Sequence, residues 1–195
     1  MVRPMANASD GPEIRAREAL GRGERNRALT IVMESYGDEI HRHCLAVVGN
    51  PALAADVHQT VFVQAFRDLA KFRGGSSLRT WLYAIARHRC LDALRAHRRW
   101  LKRFDSRAEV PEEATSGGPE EVLDSQVRAH ALRQALAKLK PKVRIAVVLR
   151  YQENMSFVEI GQVCGERPAT VQARVARAMP VLREHLKRAG MEDTL

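Results

Sequence analysis

Residues 156–180 read SFVEIGQVCGERPATVQARVARAMP, and the way this stretch folds decides the architecture of the chain. Ser156 followed three residues later by Glu159 is a capping box, in which each residue's side chain satisfies a backbone donor of the other. Cys164-Gly165 supplies a stop, because glycine takes the left-handed geometry that closes a helix. Pro168 supplies a start, since its missing N–H costs nothing in a first turn. Beyond it, Val171, Val175, Met179, Leu182 and Leu186 step by four, four, three and four and share one apolar face. Two short helices joined by a glycine turn are the outline of a DNA-reading motif. Thr170, Gln172, Ala173, Arg174 and Arg177 lie off the stripe in the first turns, the part of such a helix that enters a major groove. Arginine pairs with guanine, and glutamine with adenine, through two hydrogen bonds each. Pro180 removes the backbone bond to Ala176 and is expected to kink the helix beyond the base-reading turns. An ordinary amphipathic hairpin would show the same periodicity without touching DNA.

The charge balance favours the first reading. The 195 residues carry Lys+Arg 32 against Asp+Glu 23, a net +9, which suits a polyanionic partner, nucleic acid or an anionic membrane surface. No apolar run approaches the ~18 residues that span a bilayer, so membrane insertion is not expected. The N-terminal MVRPMANASDGPEIRARE lacks the apolar core of a secretory signal. Cys44, Cys90 and Cys164 are odd in number and far apart. That argues against a disulfide framework and for a reducing cytoplasm.

Working outward, an all-α chain emerges: two small helical domains joined by a flexible acidic linker. Residues 1–24 mix Gly, Pro, Ala, Arg and Glu without apolar periodicity and are expected to be a flexible tail. Leu29, Val32, Met33, Tyr36, Ile40, Cys44 and Val47 mark a first helix. Gly49-Asn50-Pro51 ends it and opens a second, with Asn50 as cap and Pro51 at the first position. Arg73-Gly74-Gly75-Ser76-Ser77 is a loop whose serine can cap a third helix carrying Leu78, Trp81, Leu82 and Ile85. The first domain is expected to span 25–102 and the linker 103–121. The linker is rich in Pro, Gly and acids, and its charge would keep it off DNA. The second domain, 122–190, is helical again, with Pro141 and Pro168 opening helices, and 191–195 is a tail.

Two further clusters could carry chemistry. Residues 87–103 hold seven Lys/Arg against one acid, Asp92, with Phe72, Trp81, Tyr83 and Trp100 in or near the run. Cations neutralise phosphates and aromatic faces stack on unpaired bases. Phe62, Phe66 and Trp81 are expected to belong mainly to the core. HRHC at 41–44 places His41 and Cys44 at a metal-ligand spacing, but no second ligand pair follows. No nucleophile elbow, phosphate-cradling loop or HExxH motif is present, so no catalytic residues and no cofactor are expected.

The combination resembles a known family. Asp56-Val-His-Gln59-Thr60-Val-Phe62-Val-Gln64-Ala-Phe66, then Phe72-Arg73-Gly-Gly-Ser76-Ser77-Leu-Arg79-Thr-Trp81-Leu-Tyr-Ala-Ile-Ala-Arg87, then Asp92, is similar to the promoter-melting domain of extracytoplasmic-function (ECF) sigma factors. Residues 139–151, the 156–165 helix and Thr170-Val171-x-x-Arg174-x-x-Arg177 resemble the same family's promoter-reading domain. The resemblance implies an initiation factor for bacterial RNA polymerase. Asp56, Gln59, Thr60, Phe62 and Gln64 would dock on core polymerase. Phe72, Arg73, Ser76, Ser77, Arg79, Trp81, Arg87, His88 and Arg95 would read and melt the −10 element. The last helix would read the −35 element, and an anti-sigma factor would hold the chain inactive. The chain departs from the family at Thr60, where glutamate is usual, at His88, where asparagine is frequent, at Gln172-Ala173 for Lys-Ser, and at Glu166 in the turn. A helix-turn-helix regulator that never docks on polymerase is the alternative, but it leaves the Trp81 region without a purpose. A nucleic-acid enzyme ranks below both.

Overall fold

The structure, a computed structural model, describes residues 11–104 and 120–188. Within them the chain forms eight α-helices: α1 (Pro12–Gly21), α2 (Arg25–Val48), α3 (Pro51–Asp68), α4 (Leu78–Phe104), α5 (Glu120–Ala137), α6 (Pro141–Tyr151), α7 (Phe157–Cys164) and α8 (Pro168–Arg188). A short 3₁₀ turn, Leu69–Lys71, follows α3. Among the described residues there is no strand. Most of the expected linker, 105–119, lies outside the described residues, as do residues 1–10 and 189–195. Residues 103, 104, 120 and 121, also assigned to the linker, belong to α4 and α5.

The local signals read from sequence form as written. The Asn50 side chain accepts from Leu53 N at 2.8 Å, and Ser156 and Glu159 close the reciprocal capping box. Gly165 caps α7 in the left-handed region, at φ 66°, where a side chain would be strained. Gly161 is required for a different reason. A Cβ there would lie 2.7 Å from the Glu166 carbonyl oxygen, so only glycine lets the turn fold back onto α7. Helix α8 continues through Pro180, and the turns beyond it bury Leu182 and Leu186.

One expectation is overturned at the N-terminus. Residues 12–21 are not tail but a helix packed on α2. Pro12 opens it, Glu13 sits in its first turn, and Ala16 and Ala19, one turn apart, are fully buried. Its buried face is alanine, which lets two backbones approach closely yet leaves almost no trace in hydropathy.

Two bundles result. In the first, α2, α3 and α4 enclose Ile40, Val47, Val57, Val61, Phe62, Leu78, Leu82 and Tyr83; in the second, α5 to α8 enclose Ile145, Leu149, Ile160, Val171, Val175 and Leu182. The bundles pack on each other, α4 against α7 and α2 against α6. Cys44, Cys90 and Cys164 are free and buried.

Candidate nucleic-acid interface

The apolar stripe of α8 faces inward, and this fixes what the helix offers outward. Val171, Val175 and Met179 are buried, while Thr170, Gln172, Ala173 and Arg177 are exposed. Arg177 lies along the helix, its Nε donating to the Ala173 carbonyl at 3.1 Å. Arg174 differs from the sequence expectation. It is half-buried and ion-paired with Glu166 in the turn, so the unusual acid at that position holds the arginine against the protein. Arg167, just before α8, is exposed on the same end; it escaped notice because it precedes the helix start.

The loop after α3 and the start of α4 carry the second group of candidate residues. Ser77 caps α4, its Oγ accepting from Thr80 N at 3.0 Å. The Ser76 hydroxyl donates to the Ser77 carbonyl at 3.3 Å. Phe72 and Trp81 are half-buried with ring centroids 5.3 Å apart, and Arg73 is exposed beside them. Trp81 is therefore half core and half surface. Further along α4, His88 is exposed, and Arg87 reaches it at 3.4 Å while also lying against Cys164 of α7. Arg95 is exposed and paired with Asp92 at 2.9 Å. Arg95 and Arg98 from α4, Lys140 and Lys142 at the start of α6, and Arg174 from α8 line one cleft of about 420 Å³ floored by Leu91, Leu94 and Val143. The fold thus gathers cations from both bundles at one place.

On α3, Asp56, Gln59 and Thr60 form an exposed face, joined by Val63 at 46% exposure. Two residues assigned to this face are elsewhere. Phe62 is buried against His58, at 5.0 Å between ring centroids. Gln64 is half-buried, accepting from Arg89 at 2.7 Å and bonded to Asp68.

Arg79 is the largest departure. The family resemblance places it with the DNA-contacting residues, but its Nε donates to Glu39 at 2.6 Å and its Nη2 to the Glu153 carbonyl at 2.9 Å. Glu153, in the α6–α7 connection, is a residue of the other bundle. The Tyr83 hydroxyl donates to Glu39 at 2.8 Å, and burial, then the Glu153 carboxyl beside it, pushes the phenol far up. His43 lies 4.0 Å from Glu153 and edge-on to Tyr83 at 4.9 Å. Burial lowers the His43 pKa to about 3, assisted by the Arg79 charge, and raises that of Glu153. A neutral histidine beside a weakened acid therefore sits under a charged Arg79–Glu39 pair. His43 belongs to this cluster; among the described residues no group of three or more His, Cys, Asp and Glu is gathered as metal ligands would be. Because Arg79 and Glu39 are partly exposed, Arg79→Ala is expected to cost about 1–3 kcal/mol. It should also enlarge the chain in small-angle X-ray scattering as the bundles loosen. An unaltered profile would mean that this link does not hold them.

A helix-turn-helix with an outward polar face, an aromatic loop beside cations and an exposed face on α3 define a class: all-α proteins of two helical modules with a candidate nucleic-acid interface. Comparisons specify it further. A family model for Sigma-70 region 2 matches residues 32–100, and one for Sigma-70 region 4 matches residues 129–179. The chain is 31% identical over 160 residues to the RNA polymerase sigma factor YlaC of Bacillus subtilis, covering 82% of this chain and 92% of that one. It is 34% identical over 166 residues to the RNA polymerase sigma factor CarQ of Myxococcus xanthus, covering 82% and 93%. Its fold matches the sigma factor in the co-crystal structure of RpoE with the anti-sigma factor NepR from Bartonella quintana, at TM-score 0.67 and 23% identity over 80% of this chain and 94% of that one. The chain belongs to the sigma-70 family of RNA polymerase sigma factors, in its ECF branch. Among the described residues no helix is long and apolar enough to cross a membrane.

Proposed function

We propose that residues 25–102 dock on core RNA polymerase and open the −10 element, and that residues 122–190 read the −35 element. The observation that carries this is the pairing, in one chain, of an aromatic loop set beside Arg73 with a helix-turn-helix whose Thr170, Gln172, Ala173 and Arg177 face outward. Asp56, Gln59, Thr60 and Val63 supply the docking face. Removing a base from the stack costs a few kcal/mol, which Phe72, Trp81 and Arg73 are placed to offset. Tethering lets two weak DNA contacts act at high effective concentration. Arg79 and Arg174, bound to acids in the described form, join the contact set only on release. The active site is the polymerase's own, so the chain contributes no catalytic residue and acts in the cytoplasm. An anti-sigma factor is its expected regulator, a reading supported by the co-crystal of RpoE, whose fold this chain shares, with the anti-sigma factor NepR.

The test is transcription in vitro by core polymerase with and without the purified chain, with sequencing of transcript starts. Starts that share upstream elements and depend on the chain support the reading; no binding to core polymerase would sink it and favour a stand-alone regulator. Arg177→Ala is expected to weaken upstream promoter binding by about 1–3 kcal/mol. It should leave docking on polymerase intact, as checked by footprinting and by pulldown.

A further inference from the structure

Helix α1 lies outside the span matched by the region 2 model, which starts at residue 32. Its polar face is nevertheless turned toward the loop that precedes α4. The Glu13 carboxylate accepts from Leu78 N, the first residue of α4, at 3.2 Å, across 65 residues of sequence. The same carboxylate group holds the Arg17 guanidinium at 2.7 Å. Arg17 in turn sits over the Phe72 ring, 5.5 Å from its centroid. Gly74 passes so close to Arg17 that a Cβ there would lie 3.2 Å from Nη2. Gly74 has φ 75°, a geometry that glycine adopts freely. Glu13 and Arg17 therefore touch both ends of the 72–77 loop and its middle: Phe72 at the start, Gly74 within, Leu78 at the exit.

A loop that captures an extruded base has to be held before the base arrives, because ordering it at that moment would consume binding energy. We propose that α1 is part of the strand-capture machinery, with Arg17 as the positioning residue that fixes Phe72 and Gly74, and Glu13 as the residue that anchors Arg17 to the start of α4. The ligand is an unpaired base of the promoter strand, and the proposal rests on the reading of residues 72–77 as the capture loop. The cation and the ring are attracted face to face, and the planar guanidinium covers the ring as no ammonium can.

The experiment uses holoenzyme assembled from core polymerase and the full chain on a linear promoter fragment. Closed-complex affinity and the rate of strand opening are read separately, the second from a fluorescent base analogue in the −10 element. Arg17→Ala is expected to slow opening roughly three- to thirtyfold, the span of a contact of this kind. Closed-complex affinity and polymerase binding should stay unchanged, and the chain should still melt in one cooperative transition, lowered by no more than the loss of one such contact entails. Arg17→Lys keeps the charge and loses the plane, and should remain slow; full recovery by lysine would overturn the positioning role. Phe72→Ala separates the two levels. If Phe72→Ala is slow and Arg17→Ala opens at the normal rate, the role of α1 is overturned while the capture loop stands. If both open at the normal rate, the capture loop itself is wrong, and the proposal falls with it.

Discussion

Arg144→Met is expected to destabilise the chain by about 3 kcal/mol, more than any surface change. The side chain is 7% exposed. Its Nη1 donates to the Val47 carbonyl at 2.5 Å, and its Nη2 to the carbonyls of Ala137 at 2.8 Å and Leu139 at 3.3 Å. Val47 is in the last turn of α2 and Ala137 ends α5. The last carbonyls of a helix have no partner within it and carry the negative end of its dipole. One guanidinium therefore satisfies the ends of two helices from different bundles. Burial lowers its pKa, but an arginine stays charged at any ordinary pH. Methionine fills the space and leaves three acceptors without a donor, each worth about 1–3 kcal/mol where water is excluded. In a chain of this size the loss corresponds to a melting temperature lower by roughly 6–12 °C. Arg144→Lys should recover only part, because one ammonium cannot reproduce the fork. Wild-type melting for Arg144→Met would show that water replaces the arginine at no cost.

The second large effect concerns acid. His43 is held neutral in the fold, with a pKa of about 3 against 6.5 when free. A depressed folded pKa means that stability is fully present above 6.5 and is lost as pH falls from there toward 3. Between pH 7 and pH 4.5 the loss is about 2–3 kcal/mol. Glu153 titrates in the opposite sense. Its folded pKa is raised by burial, so its contribution is present at low pH and lost as pH rises through the raised value, which partly offsets the loss from His43 at the acid end. Glu39, Arg79 and Tyr83 complete the surroundings, and the raised pKa values of Arg79 and Tyr83 keep both in their protonated forms across this window. Both His43 nitrogens lack a hydrogen-bond partner, so His43→Leu removes no bond and should flatten the acid slope. Urea denaturation at pH 7 and 4.5 measures this; equal slopes for wild type and His43→Leu would assign the acid sensitivity to other groups.

What the sequence made legible was local. A serine and a glutamate three apart, an asparagine before a proline and a glycine after a cysteine each act within one helical turn, and each formed. The inward stripe of α8 followed from spacing alone. What stayed hidden acts over distance or through small residues. Helix α1 buries alanines, which no hydropathy pattern marks. The Arg79–Glu153 contact joins residues 74 apart, and nothing in either neighbourhood announces the other. Phe62 and Arg174 show the remaining difficulty. Their residue types suit a docking face and a base contact, yet packing against His58 and pairing with Glu166 claim them first.

The packing of α4 on α7 has a consequence for distance. The −35 and −10 elements are named for positions 25 base pairs apart, about 85 Å along a duplex at 3.4 Å per pair. A chain of 195 residues folded as one body has a radius of gyration of about 16 Å and a breadth of roughly 40 Å. No rotation of such a body reaches both elements. Residues 105–119 can extend to at most about 50 Å, enough to make up the difference once the bundles part. Parting them breaks the Arg144–Val47 and Arg79–Glu153 contacts, and so exposes at the same moment the face of α4 that carries Arg87. If the proposed role of that face in holding the melted strand is right, reach along the promoter and readiness to hold the strand are set by a single event, and whatever separates the bundles controls both.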